Sequence, residues 1–206
     1  MTQLFDVHPV NPEKRLMVQA AEALRSGAII VYPTDSCYAF GFSLDGKRPV
    51  REIQRIRQTD RRHNFTMMCR DLSDIASFAR VDNWHYRTLK AHTPGPYTFI
   101  LQASRSVPRP MQNQKRKTIG IRIPDHPVPQ ALLAQLGGPF MSSTLTLPGD
   151  EVPLTDTDEM HQRLRGDVDL ILAAGSCGIE PTTVVDMTGS FPVVTRHGKG
   201  DAEGFS

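Results

Sequence analysis

Apolar and polar positions along this chain follow two rhythms, a period of two and a period near 3.6. Together they predict strands interleaved with helices. An apolar run over 27–32 reads as a buried strand that stops at Pro33, because proline has no N–H to give a ladder. Thr34, Asp35, Ser36 and the phenol of Tyr38 crowd the short loop that follows, and a second apolar run over 38–44 begins at once. Two buried strands joined this way place hydroxyls and a carboxylate at a sheet edge, where binding groups are often carried. The same hydroxyls also suit a tight turn that satisfies its own backbone.

Asn11-Pro12-Glu13 predicts a helix start, with Leu16, Ala20, Ala23 and Leu24 at helical spacing and Gly27 as the stop. Pro49 opens a second helix with Val50, Ile53 and Ile56 on one side, ending near Gln58 and leaving a basic, polar loop before a strand over 65–69. Asp71 and Asp82 cap two short helices, the second holding Trp84, read as core or staple. After the break at Thr93-Pro94-Gly95-Pro96 come strands over 97–103, 118–123, 140–147 and 168–174, with a hairpin of 183–187 and 192–196. Between them lie an exposed basic loop over 104–117, a helix over 130–136, and a helix begun by Thr155 and Asp158 and ending at Gly166. The two-residue period puts Ser142, Thr144 and Thr146 on one strand face and Thr118 with Arg122 on another. No Pro/Gly/Ser linker divides the chain, so residues 1–206 are expected to form one α+β domain, a mixed sheet covered by helices.

Composition narrows the classes. Hydrophobic content of 39% and charged content of 22% exclude a disordered chain, and a net charge of +2 gives no global argument for nucleic acid. Local clusters do more. Arg48, Arg51, Arg55, Arg57, Arg61 and Arg62 form one, and Arg105, Arg109, Lys115, Arg116, Lys117 and Arg122 a second. Such density suits a phosphate-bearing ligand or an RNA backbone, although charge runs also solvate helix faces. Cys37, Cys69 and Cys177 show neither disulfide nor zinc spacing. No apolar run approaches membrane-spanning length and no signal-peptide core is present, so the expected location is cytoplasmic.

The chain has no glycine-rich phosphate loop, no nucleophile elbow and no histidine pair at metal-ligand spacing. His8, His85, His92, His126 and His161 read as surface or structural; His63 and His197 stand beside basic residues. What remains is a set of cations and hydroxyls, Arg57, His63, Thr118, Arg122, Ser142, Thr144, Thr182 and Arg196. Such a set fits phosphoryl or adenylyl chemistry, in which a protein positions reactants and offsets developing charge. Arg122 stands in an otherwise apolar strand. Charge there costs on the order of several kcal/mol unless it meets an anion, either a ligand or a structural partner such as Asp35, Asp125 or Asp186.

Several stretches resemble the YrdC/YciO family, the threonylcarbamoyl-adenylate synthase-like proteins. They are Tyr32-Pro33-Thr34-Asp35-Ser36-Cys37-Tyr38-Ala39-Phe40-Gly41, Thr93-Pro94-Gly95-Pro96-Tyr97-Thr98-Phe99, Ile119-Gly120-Ile121-Arg122-Ile123-Pro124-Asp125-His126-Pro127, Pro181-Thr182-Thr183-Val184-Val185-Asp186 and Thr195-Arg196-His197-Gly198. Arg57-Gln58, His63-Asn64-Phe65-Thr66 and Lys115-Arg116-Lys117-Thr118-Ile119-Gly120 look most like the YciO branch. The resemblance implies a three-layer fold with a twisted mixed sheet and a concave basic cavity. It implies a reaction of ATP, L-threonine and bicarbonate giving threonylcarbamoyl-AMP for the threonylcarbamoyladenosine modification of tRNA, with Mg2+ on the ATP phosphates and no prosthetic group. It also implies binding of tRNA or double-stranded RNA. By position Thr34, His63, Arg122, Ser142 and Thr182 would face threonine and its carbamate. Arg57, Thr118, Thr144 and Arg196 would face the nucleotide, while Arg61, Arg62, Lys115, Arg116 and Lys117 would face RNA. Three departures point to weak or altered activity: Thr59 where the family has a second cation, His63 where it has Lys or Asn, and Thr146 where it has an asparagine amide. The alternative function is RNA binding without catalysis.

Overall fold

The computed structural model describes residues 1–59 and 64–205. Its strands are β1 (Gln3–Asp6), β2 (Ile30–Tyr32), β3 (Ala39–Phe42), β4 (Thr66–Met68), β5 (Tyr97–Gln102), β6 (Thr118–Arg122), β7 (Phe140–Thr144), β8 (Leu170–Ala173), β9 (Thr183–Asp186) and β10 (Val193–Arg196). Its α-helices are α1 (Lys14–Arg25), α2 (Lys47–Arg57), α3 (Leu72–Phe78), α4 (Asn83–His92), α5 (Pro127–Leu136) and α6 (Thr157–Arg163). The strands form one mixed sheet in the order β1-β8-β2-β3-β7-β4-β6-β5-β9-β10. A single mixed sheet flanked by helices is the α+β architecture that the sequence implied.

Strand alternation gives the sheet two unlike faces. One carries Val31, Phe40, Met67, Phe99, Ile121, Met141 and Val185, and it is covered by Ile53 and Ile56 of α2, Ile75 of α3, Leu89 of α4 and Met160 of α6. The other is apolar at one end only. There Ile30, Tyr32, Met68, Phe140 and Leu172 pack under Met17, Ala20 and Leu24 of α1 and Val128, Leu132 and Leu133 of α5. Further along the same face, register aligns Gly41, Ser142, Thr66 and Gly120 in one cross-strand row. These are small and mostly polar, so no helix has an apolar surface to bury on them. The sheet's own right-handed twist and this row of short side chains leave a hollow.

Local signals explain most element ends. Asp71 and Asp82 accept from the Asp74 and His85 N–H groups as helix caps. Several boundaries differ from the sequence reading; β7 ends at Thr144 rather than at 147, so Thr146 leaves the strand face it was expected to share with Ser142 and Thr144. α1 begins after Glu13 rather than at Asn11, without a side-chain cap. The cap of α6 is Asp156, accepting from Glu159 N–H at 2.8 Å, and not Thr155. α5 starts earlier than expected, with Pro127 and Pro129 tolerated in its first turn and the His126 ring accepting from Val128 N–H at 3.1 Å. The edge strand β1 was not foreseen; its four residues are set by parallel pairing with β8, a tertiary cause.

Candidate functional site

The hollow on the open half-face is a cavity of about 330 Å³, floored by β4, β6, β5 and β7 and walled by the loop after β2, the end of α2 and the β9–β10 hairpin. Arg57, Thr118, Arg122, Ser142, Thr144, Thr182 and Arg196 all line it, residues spread over much of the chain. So do Ser36 of the polar loop and Cys37, Thr98, Asn64 and Asn113, the last four not singled out by the sequence reading. Thr98 was findable in principle, since it stands in the Thr93-Pro94-Gly95-Pro96-Tyr97-Thr98-Phe99 stretch that carries the family resemblance.

Each cation is held differently. Arg122, 6% exposed, pairs with Asp35 and donates from Nη1 to Ser36 Oγ at 3.0 Å; its Nε has no partner among the described residues. Of the three carboxylates considered for it, Asp35 is the one. Asp186 instead binds Arg116 at 2.6 Å, and Thr188 Oγ1 takes a second bond from that guanidinium at 2.8 Å. Burial pushes the Asp186 carboxyl up, but the Thr188 and Arg116 bonds outweigh it and hold the group below its ordinary range. Arg57 donates to Ser143 Oγ at 2.5 Å and towards the Thr146 carbonyl at 3.4 Å. Arg196 donates to the Thr182 carbonyl at 2.8 and 3.1 Å and to Thr182 Oγ1 at 3.1 Å, and no carboxylate among the described residues pairs with it. Burial lowers the affinity of both Arg57 and Arg196 for their proton.

The hydroxyls are positioned from behind. Tyr32, fully buried, meets Ser142 Oγ at 2.6 Å, and Thr98 Oγ1 meets Thr182 Oγ1 at 2.8 Å. Gly198 lets the chain after β10 lie directly on Thr182, since a Cβ there would collide with the Pro181 carbonyl. Gly178 does the same over the loop after β2, where a Cβ would stand 2.5 Å from the Ser36 carbonyl oxygen. Thr34 departs from its expected placement. Its Oγ1 donates to the Cys37 carbonyl at 2.7 Å and accepts from the Ser36 and Cys37 N–H groups, so it shapes the loop and does not line the cavity. Thr146 lies outside the cavity, in an open vestibule that shares Arg57, Thr144 and Arg196 with it.

Of the expected RNA-facing residues, Arg116 turns into the cavity wall, while Lys115 and Lys117 are exposed on the loop before β6, Lys117 at φ 57°. Arg61, Arg62 and His63 lie outside the described residues. Cys37 faces the arginines, yet burial pushes its thiol up against the smaller opposing effects of the Ser36 hydroxyl and the Arg122 and Arg196 charges. No carboxylate lines the cavity among the described residues, and none of their acidic, histidine or cysteine groups cluster as metal ligands. The site is therefore suited to holding an oxyanion among fixed cations and hydroxyls, and not to attacking with a nucleophile of its own.

The class these features define is an α+β protein with a polar, arginine-lined hollow on an uncovered sheet face. The Sua5/YciO/YrdC family, described as telomere recombination, matches residues 22–198, and the chain belongs to it. It is 50% identical to YciO of Escherichia coli (strain K12) over 205 residues, the whole of both chains. The crystal structure of that YciO superposes with a TM-score of 0.96. Threonylcarbamoyl-AMP synthase of Chromobacterium violaceum is 31% identical over 144 residues, 69% of this chain and 74% of the relative. P. abyssi Sua5 complexed with L-threonine shares the fold at TM-score 0.86 and 22% identity, over 96% of this chain and 58% of the other. No helix among the described residues is long and apolar enough to cross a membrane.

Proposed function

We propose that the cavity binds ATP and that the protein is a YciO-type relative of the threonylcarbamoyl-AMP synthases with weak or altered synthase activity. One observation carries this reading. Arg196 stands exposed at the cavity wall with only neutral oxygens as hydrogen-bond partners among the described residues, and such a cation is free to take an incoming phosphate. Arg57 and Thr144 stand with it where the cavity opens to the vestibule, which suits a polyphosphate. Deeper in, Ser142 and Thr182 present oriented hydroxyls beside Arg122, which suits a small carboxylate such as threonine or its carbamate. Magnesium would arrive on the nucleotide phosphates, because the cavity offers it no carboxylate.

The altered activity follows from the same residues. Thr59 supplies a hydroxyl where a second cation would stand, and its buried Oγ1 has no partner among the described residues. Thr146 gives its carbonyl to Arg57 and its side chain to the vestibule. Each replaced charge-assisted bond forfeits about 1 kcal/mol or more, roughly a factor of five to ten in rate if felt in the transition state. Purified protein with ATP, L-threonine and bicarbonate should form a detectable adenylate by mass, slowly, and bind ATP by calorimetry. If no product forms and no ATP binds, the enzyme reading is overturned. The second reading, binding of tRNA or duplex RNA without catalysis, is favoured by the exposed Lys115 and Lys117; it predicts affinity that falls steeply with salt and with charge reversal at those lysines.

A further inference from the structure

The charges of α2 divide into two groups. Arg48 pairs with Asp169, and Arg55 with Asp167 and Glu52, so these arginines tie the helix to the segment before β8. Lys47 and Arg51, one turn apart on another stripe, have no carboxylate partner among the described residues. They do not face open water alone. Together with Lys115 they rim a second cavity of about 740 Å³, within the size range of small-molecule sites.

Its construction is that of a binding groove. Val50, Phe65 and Met111 make an apolar floor, and no acidic residue lines it among the described residues. The far wall is stiffened by its own amides: Gln112 Nε2 donates to the Val107 carbonyl at 2.8 Å, and Gln114 Nε2 to the Arg109 carbonyl at 2.5 Å. Asn113 Oδ1 accepts from the Lys115 and Arg116 N–H groups, which fixes where Lys115 leaves the backbone. The Gln54 amide, on the same α2 stripe as Lys47 and Arg51, has no hydrogen-bond partner among the described residues and opens into the groove. Among the described residues the Asn64–Asn113 contact at 3.1 Å, with Phe65 and Met111, lies between this groove and the arginine cavity.

Cations without carboxylates, an unused amide and an apolar floor are the elements that recognise phosphate, base edge and base face. We propose that this groove is a second nucleotide subsite, seating a phosphate on Lys47, Arg51 and Lys115 and a base on the Val50–Phe65–Met111 floor. The occupant is either a free nucleotide or one residue of an RNA strand. The inference does not require synthase activity, and it is tested on residues that do not line the arginine cavity.

The test is fluorescence-anisotropy titration at low salt with two labelled probes, AMP and a short single-stranded oligoadenylate. The variants are K47E/R51E/K115E, the milder K47Q/R51Q/K115Q and, as a main-cavity control, R196A. Charge reversal should weaken the bound probe at least about tenfold and flatten its salt dependence. R196A should remove only the share of AMP binding that the arginine cavity contributes and leave the reversal-sensitive share in place, and ATP binding measured on the triple variants should persist. Oligoadenylate binding with weak AMP binding assigns an RNA strand; the converse assigns a free nucleotide. The proposal is overturned if neither probe binds, if no share of the binding is lost on charge reversal, or if the share lost on reversal is also lost in R196A. A variant that melts early is replaced by the glutamine set, read the same way.

Discussion

Two halves of one sheet face differ in everything except backbone. Under α1 and α5, Tyr32, Met68 and Phe140 bury against Met17, Leu24 and Leu132 with no exposure worth counting. A few ångströms along the same strands, Ser142 and Thr66 are left without a helix above them. β7 crosses the boundary in two residues, from Phe140 beneath the helices to Ser142 in the cavity. A site is thus made by interrupting a core: where the inward row turns small and polar, burial no longer stabilises a covering helix, and arginines from elsewhere can reach the sheet. The division predicts that residues at the seam carry stability, while those on the open half carry affinity.

The largest effect is expected from crossing Arg122 with Arg196. Arg122→Ala leaves the Asp35 carboxylate buried without its cation, a loss of about 3–5 kcal/mol in urea unfolding. Arg196→Ala removes a cation whose partners are the Thr182 oxygens, so stability should fall by less than about 1 kcal/mol while ATP affinity drops tenfold or more. If both variants lose stability alike, the open half is as structural as the covered half and the comparison fails. Pairing R122M with D35L should recover much of the first loss, because an apolar pair of similar bulk has no charge to strand.

Next comes Tyr32→Phe, which removes only the hydroxyl that spans the seam to Ser142. With both groups buried, roughly 1–2 kcal/mol is expected from the stranded serine hydroxyl. Threonine binding by calorimetry should weaken with it if Ser142 must be oriented to meet ligand. Stability lost with threonine affinity intact would assign Tyr32 to the core alone.

Much of this was readable from residue order. The period of two put Thr118 with Arg122, and Ser142 with Thr144 and Thr146, on shared faces; the strands obey it except at Thr146, which lies beyond the end of β7. An arginine in an apolar strand announced a need for a counter-charge, but three carboxylates stood as possible partners, and only the path of the loop after β2 selects Asp35. The role of Thr34 was hidden for a related reason: a threonine that caps its own loop and one that faces a ligand have the same neighbours in sequence. Least legible was which half of the face would be covered, since that depends on where α1 and α5 meet, a contact between residues more than a hundred positions apart.

The smallest predicted effect tests the covering layer itself. His126 caps α5 by accepting from Val128 N–H through Nδ1, which requires that nitrogen to be unprotonated. Burial holds its folded pKa below the ordinary 6.5, with the Arg122 charge adding to this and the Asp35 charge opposing it. The unfolded chain therefore binds the proton more readily, and folding stability is full above about pH 6.5 and falls as the pH drops through the lowered folded value. A loss of up to roughly 1 kcal/mol, the usual scale of a helix cap, should appear in melts taken from pH 7.5 to 5. His126→Asn keeps a capping acceptor without a titrating ring, so it should melt like the parent at neutral pH and lose the acid-side slope assigned to this residue. A slope that persists unchanged in the asparagine variant would place the titration elsewhere and leave α5 indifferent to the charge at its start.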